Sequence, residues 1–161
     1  MNPSENQRRT ASIVAVVIAL AAPAEGLRRV AYDDTGGIPT VCEGHTGKDV
    51  VHGKVYSLDE CKKLLDEDAL KAVRIVEHCA PNLPPSVTAA FGDITFNEGP
   101  TAACDTQRST AARYLLAGKY KEACLELPKW NKAKVGGLLV PLPGLTKRRN
   151  AEVDICLEGL S

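Results

Sequence analysis

The stretch Glu25 to Thr46, EGLRRVAYDDTGGIPTVCEGHT, decides how this chain reads. Glu25 and Asp34 stand nine residues apart, and Thr40 follows Asp34 by six. Between them Gly36-Gly37 supplies a turn where positive φ is cheap. Pro39 and the β-branched pair Thr40-Val41 then open a short strand. One carboxyl therefore ends a helix, while the second carboxyl and a hydroxyl sit on a hairpin folded beside it. Glycoside hydrolysis uses two carboxyls in unlike settings, one kept protonated for the leaving oxygen and one kept ionised on the other side of the sugar. Taken alone, the two acids also fit an ordinary acidic surface turn.

The whole stretch narrows the choice. Glu-x8-Asp-x5-Thr followed by Val-Cys-x-Gly-His-Thr resembles the phage lysozymes of glycoside hydrolase family 24, muramidases that serve as endolysins. The resemblance puts the catalytic roles on Glu25, Asp34 and Thr40, and the spacing selects Asp34 over the adjoining Asp33. Phe96-Asn97-x-Gly99, Leu127-x-x-Trp130 and Gly144-Leu145-x-x-Arg148-Arg149-x-x-Glu152 continue it in order, so it runs from about Ala11 to the C-terminus. It implies a lysozyme-like α+β fold, with a small β-containing lobe (about 25–60) and a helical lobe (about 81–161). A long helix, about 58–79, joins them.

Composition sets the other bounds. At 161 residues the chain is long enough to bury most of its apolar surface as one domain or two lobes sharing a core. Twenty basic and twenty acidic residues cancel, which leaves no basic footprint for nucleic acid. Six cysteines stand apart, without a C-x-x-C pair or a His/Cys ligand cluster, so no zinc site is expected. An even, scattered set fits disulfides formed in an oxidising compartment such as the periplasm; six buried thiols in a cytosolic protein is the alternative. Resemblance to secreted members, with chain order, favours Cys42–Cys61, Cys79–Cys104 and Cys124–Cys156.

The N-terminus bears on compartment. Arg8-Arg9 precedes an uncharged run, Thr10 to Ala24, TASIVAVVIALAAPA. A basic flank before an apolar run is an export signal. The run is mildly hydrophobic and shorter than the roughly 20 residues that span a bilayer comfortably. Cleavage after Ala22-Pro23-Ala24 would strip the helix that holds Glu25, so the segment (1–24) reads as uncleaved. It resembles the signal-arrest-release segment of some endolysins, held in the host inner membrane and later refolded as the first helix of a periplasmic enzyme. A cleaved signal peptide and a plain core helix are the alternatives.

The remaining chain reads as helices with short strands before them. Two or three short antiparallel strands are expected between Thr35 and Tyr56. Ser57-Leu58-Asp59-Glu60 is a capping box. It opens a helix whose inner face is Cys61, Leu64, Leu65, Ala69, Ala72, Val73 and Val76. Pro84-Pro85-Ser86 starts another, ending near Gly99. Helices are expected around Thr106–Ala117, Tyr120–Leu127 and Thr146–Leu157, with a loop over Gly136 to Gly144.

Family resemblance assigns supporting roles. His45 pairs with Asp68 on the connecting helix, Asn97 and Phe96 line the substrate cleft, and Arg149, rather than Arg148, reaches the catalytic glutamate. Phe96 and Trp130 also suit the core of the helical lobe. The reading is a monomeric endolysin that cleaves β-1,4 bonds between N-acetylmuramic acid and N-acetylglucosamine in peptidoglycan strands, without metal or cofactor. Family precedent suggests inversion. A catalytically silent wall-binding protein and a lytic transglycosylase are the alternatives.

Overall fold

A computed structural model describes the backbone of residues 1–161 and every side chain except those of Ala24 and Glu25. The first helix, α1, runs Pro3–Glu25 and opens on a capping box in which Asn2 and Glu5 satisfy each other's backbone N–H groups. Its inward stripe is narrow: Ile13, Val17 and Ala21 are buried, and Ala11, Ala15 and Ala19 on the other side are exposed. Arg9, read above as the flank of an export signal, donates to Glu77 and to the Leu83 carbonyl, both at 2.8 Å. No described helix is long and apolar enough to cross a membrane.

Three strands follow in the order β1-β2-β3, all antiparallel: β1 Arg28–Asp33, β2 Pro39–Cys42 and β3 His45–Thr46. The first begins before the window expected for strands. Its charged, bulged course hides it, since the register shifts between Arg28 and Tyr32 and most of its side chains are exposed. Val30 makes a further bridge to Val55, which brings the chain back to the sheet ahead of the long helix.

That helix, α2, spans Leu58–Cys79, and the Ser57/Glu60 capping box is present in full. It buries Cys61, Leu65, Ala69, Ala72, Val73 and Val76, with Leu64 at the edge of the stripe. Next come α3 (Pro85–Glu98), α4 (Thr101–Cys104), α5 (Thr110–Leu116), α6 (Tyr120–Glu126) and a 3-10 turn at Leu127–Lys129. The helix expected near Thr106–Ala117 is α5, which starts only at Thr110, and the short α4 before it was not expected. Asp105 Oδ1 accepts from the backbones of Gln107 and Arg108 and breaks the run, and Ser109 caps α5 by accepting from Ala112 N.

The loop expected over Gly136 to Gly144 is instead a hairpin, β4 Lys132–Val135 with β5 Leu138–Pro141. Gly136 and Gly137 have φ of 57° and 82°, the two positive values a tight two-residue hairpin turn requires. The last helix, α7, then starts at Pro143 and runs to Glu158.

The packing falls into three clusters. The smallest, Val41, Cys42, Tyr56 and Cys61, fastens the sheet to the start of α2. The largest surrounds Phe91, Ile94 and Leu127 among α3–α7. Between them Ile13 and Val17 of α1 meet Ala69 and Val73 of α2 and Ala89 of α3. A Cβ on Gly92 would lie 3.1 Å from Val17 and 3.3 Å from Val73, so the glycine lets three helices close on one point. Disulfides join Cys42–Cys61, Cys79–Cys104 and Cys124–Cys156, the pairs that resemblance implied.

Candidate active site

The turn between β1 and β2 holds Asp34 in one orientation. Its Oδ1 accepts from Gly36 N at 2.7 Å and Ile38 N at 2.9 Å, while Asp34 N donates to Ile38 O at 3.0 Å. Gly36 permits this closeness, because a Cβ there would stand 3.3 Å from Oδ1. Asp34 Oδ2 has no partner among the described residues, so one carboxylate oxygen stays open to a water or a sugar.

Thr40 lies on β2, buried, and its Oγ1 donates to Ile38 O at 2.9 Å. Asp34 and Thr40 therefore close on the same backbone segment from both sides, one accepting from Ile38 and one donating to it. Glu25 is the final residue of α1, and its side chain lies outside the described residues. Gly26 follows with φ of 70°, a left-handed value that turns the chain out of the helix and into β1.

Thr46 is the register partner of Thr40 and leads from this turn into the groove between sheet and helices. A hollow of about 320 Å³ opens there, bounded by Gly44 and Thr46 on the sheet side, Asp68 and Lys71 on α2, and Thr95 and Phe96 on α3. Phe96 lies between this hollow and the interior, on the α1–α3 cluster and not in the larger core of the helical lobe. The Arg148 guanidinium is 5.9 Å from its ring centre. Asn97 follows Phe96 at the end of α3. Its Oδ1 accepts from Arg149, and it lines a separate hollow between α1 and α7.

His45 fastens the sheet to α2. Nδ1 lies 2.7 Å from Asp68 Oδ2, and Nε2 lies 3.1 Å from Asp49 Oδ2. Burial works against the charged ring, but hydrogen bonding and attraction to Asp68 and Asp49 outweigh it and raise its pKa. A group raised on folding stabilises fully below its unfolded pKa, and the contribution is lost as pH rises through the folded value. His45→Gln should therefore lower the melting temperature more at pH 5.5 than at pH 9. An equal drop at both would disprove the charged pairing.

The two arginines of α7 are both committed to buried acids. Arg148 meets Asp93 of α3 through two bonds, Nε to Oδ2 at 2.8 Å and Nη2 to Oδ1 at 2.9 Å. Arg149, fully buried, donates to Glu152 at 2.7 Å, Asn97 at 3.0 Å and Glu98 at 3.1 Å. Burial, with the neighbouring Asp93 carboxylate, pushes the Glu152 pKa up, although Arg149 and Arg148 pull the other way. Burial likewise raises Glu98 against the pull of the same two arginines. The expected contact between Arg149 and Glu25 involves a side chain outside the described ones. Asp93 was not foreseen, though a lone acid within the apolar run Val87 to Thr95 was a visible signal.

This arrangement has known counterparts. The model of the phage lysozyme family matches residues 22–152. The chain belongs to the phage lysozyme family. A SAR-endolysin of Bacteriophage PS119 is 38% identical over 136 residues, covering 84% of this chain and 77% of that protein. Among solved structures, an endolysin from the Escherichia coli O157:H7 phage FAHEc1 superposes with a TM-score of 0.74 at 30% identity, covering 89% of this chain and 91% of the other. The active form of the P1 phage endolysin Lyz gives 0.74 at 23% identity, over 94% and 95% of the two chains, a likeness of fold. Membership of the phage lysozyme family makes the sheet, α2 and the helical lobe a lysozyme-like α+β fold.

Proposed function

We propose that the chain is an endolysin that hydrolyses β-1,4 bonds between N-acetylmuramic acid and N-acetylglucosamine in peptidoglycan during host lysis. Its family and its endolysin relatives make it a lysozyme-type glycoside hydrolase. In this reading Glu25 protonates the glycosidic oxygen, and Asp34 with Thr40 positions a water on the opposite face. The supporting observation is the Ile38 clamp, which fixes Asp34 beside Thr40 and leaves Oδ2 without a partner among the described residues. His45 and Asp68 keep the sheet seated on α2, and the Arg148–Asp93 and Arg149 networks hold α7 against α3.

Mass analysis of fragments from purified peptidoglycan tests this. Reducing-end N-acetylmuramic acid supports it, and stereochemistry at that end separates inversion from retention. Anhydro ends would make the enzyme a transglycosylase instead, and no release would make it a silent binding protein.

The likeness to SAR-endolysins supports export and action in the periplasm. The segment Thr10 to Ala24 then first tethers the chain to the inner membrane and afterwards forms the body of α1, in a monomeric enzyme. Ala15 and Ala19 are exposed on folded α1, so leucine there adds apolarity without entering the core. Ala15→Leu/Ala19→Leu should shift the protein to the membrane fraction and delay lysis, with normal activity once the protein is extracted and refolded. A fully soluble periplasmic variant would refute the tether.

A further inference from the structure

Strands β4 and β5 form a ribbon that packs mainly on itself and stands off the body of the helical lobe. Their register sets Val135 opposite Leu138 and Ala133 opposite Val140, and opposite residues of a hairpin share a face. One face is therefore wholly apolar. At its base Ala133 and Val140 are half-buried, while at its tip Val135 and Leu138 are 54% and 70% exposed. Leu139, 62% exposed, completes an apolar tip around the Gly136-Gly137 turn. None of the three packing clusters includes these three side chains.

The charge around the tip is one-sided. From Leu127 to Ala151 the chain has no carboxylate, although acids and bases balance over the whole sequence. Lys132 and Lys134 alternate along β4 on the face opposite the apolar one, and Lys147 follows in α7. All three are exposed, and none has an ion pair or hydrogen bond among the described residues.

An apolar tip backed by unpaired lysines matches a bilayer surface with anionic headgroups. The tip enters the interface, and the lysines stay level with the phosphates. Strands of four residues carry the tip about 13 Å along their length, enough for an interfacial insertion of about 5–10 Å. A second copy of the chain fits less well. Pairing along the open edges of the ribbon would set Lys132 and Lys134 beside like charge, and edge lysines oppose such pairing.

We infer that the β4–β5 hairpin is a membrane-docking element. It holds the folded protein on an anionic phospholipid surface through Val135, Leu138 and Leu139, with Lys132 and Lys134 behind them. The contact is separate from the N-terminal segment, since it operates with α1 packed in the core, and it does not rest on the muramidase reading.

Co-sedimentation of the folded, oxidised protein with lipid vesicles tests this. Wild type should bind vesicles of phosphatidylethanolamine with a quarter phosphatidylglycerol, and bind phosphatidylcholine vesicles about tenfold or more weakly. Lys132→Gln/Lys134→Gln should lower partition onto the anionic vesicles by about fivefold per lysine. Leu138→Ser/Leu139→Ser should lower it about tenfold or more, through lost apolar burial. Both pairs should keep the wild-type melting temperature, because the replaced side chains are exposed; if one pair melts lower, the other decides. No binding by wild type, equal binding to both kinds of vesicle, or binding that neither pair weakens overturns the proposal. Wild type that ignores vesicles but dimerises in sedimentation, with the dimer abolished by Leu138→Ser/Leu139→Ser, would assign the ribbon to a second copy instead.

Discussion

Glu25→Gln should yield a folded protein whose muralytic rate is lower by at least ~10²–10⁴, the usual worth of general acid–base help. Glutamine keeps the length and hydrogen-bonding reach of the side chain but has no proton to give. Circular dichroism and melting temperature should match wild type, because glutamine has the same size and shape as glutamate and Glu25 is the last residue of α1. Asp34→Ala should also be severe, and Thr40→Ala milder, since the hydroxyl orients and carries no charge. A folded Glu25→Gln protein retaining more than about a tenth of wild-type activity, far above that range, would remove Glu25 from the acid role.

The second large effect is on stability. Asp93 and Arg148 form a two-bond ion pair with side chains 0% and 4% exposed, joining α3 to α7. Removing one partner of such a pair costs about 3–5 kcal/mol, because the remaining charge keeps its desolvation penalty. For a chain of this size each kcal/mol lowers the melting temperature by about 2–4 °C. Asp93→Ala should thus melt about 10 °C or more below wild type under non-reducing conditions. A fall of one or two degrees would mean that Arg148 finds equal compensation elsewhere.

What could be read in advance was local in character. The capping box and apolar periodicity of α2, and the Gly and Pro stops around α3, depend on neighbours along the chain and were visible there. The Asp34 turn was legible for the same reason, since its clamp spans five residues. The β4–β5 hairpin is hidden in the sequence because Gly136-Gly137 and Pro141 to Gly144 together read as loop signals. The two-residue Gly-Gly turn was the better clue, and the ribbon's exposed Val135, Leu138 and Leu139 gave no buried alternation to support it. Strand β1 carries Arg28 and Arg29 at its start and a bulge, so it lacks the period-two pattern. Arg149 meets Glu152 within α7, but Asp93 and Glu98 lie on α3, 55 residues from Arg148 and 51 from Arg149, so no local signal pairs them.

The three disulfides also govern how the molecule would yield to a pulling force. They tie β2 to α2, α2 to α4, and α6 to α7, short-circuiting stretches of 19, 25 and 32 residues. Helix α1 contains no cysteine, and among the described residues it is held by side-chain packing and by the Arg9 contacts. Drawn out by its N-terminus, the oxidised chain should first give way at α1, in one low-force step of about 25 residues, near 9 nm of contour at the extended length per residue. The three closed loops would resist as knots of fixed size. The protein is thus a stiff body with one compliant lead, and the lead ends at the residue assigned the proton.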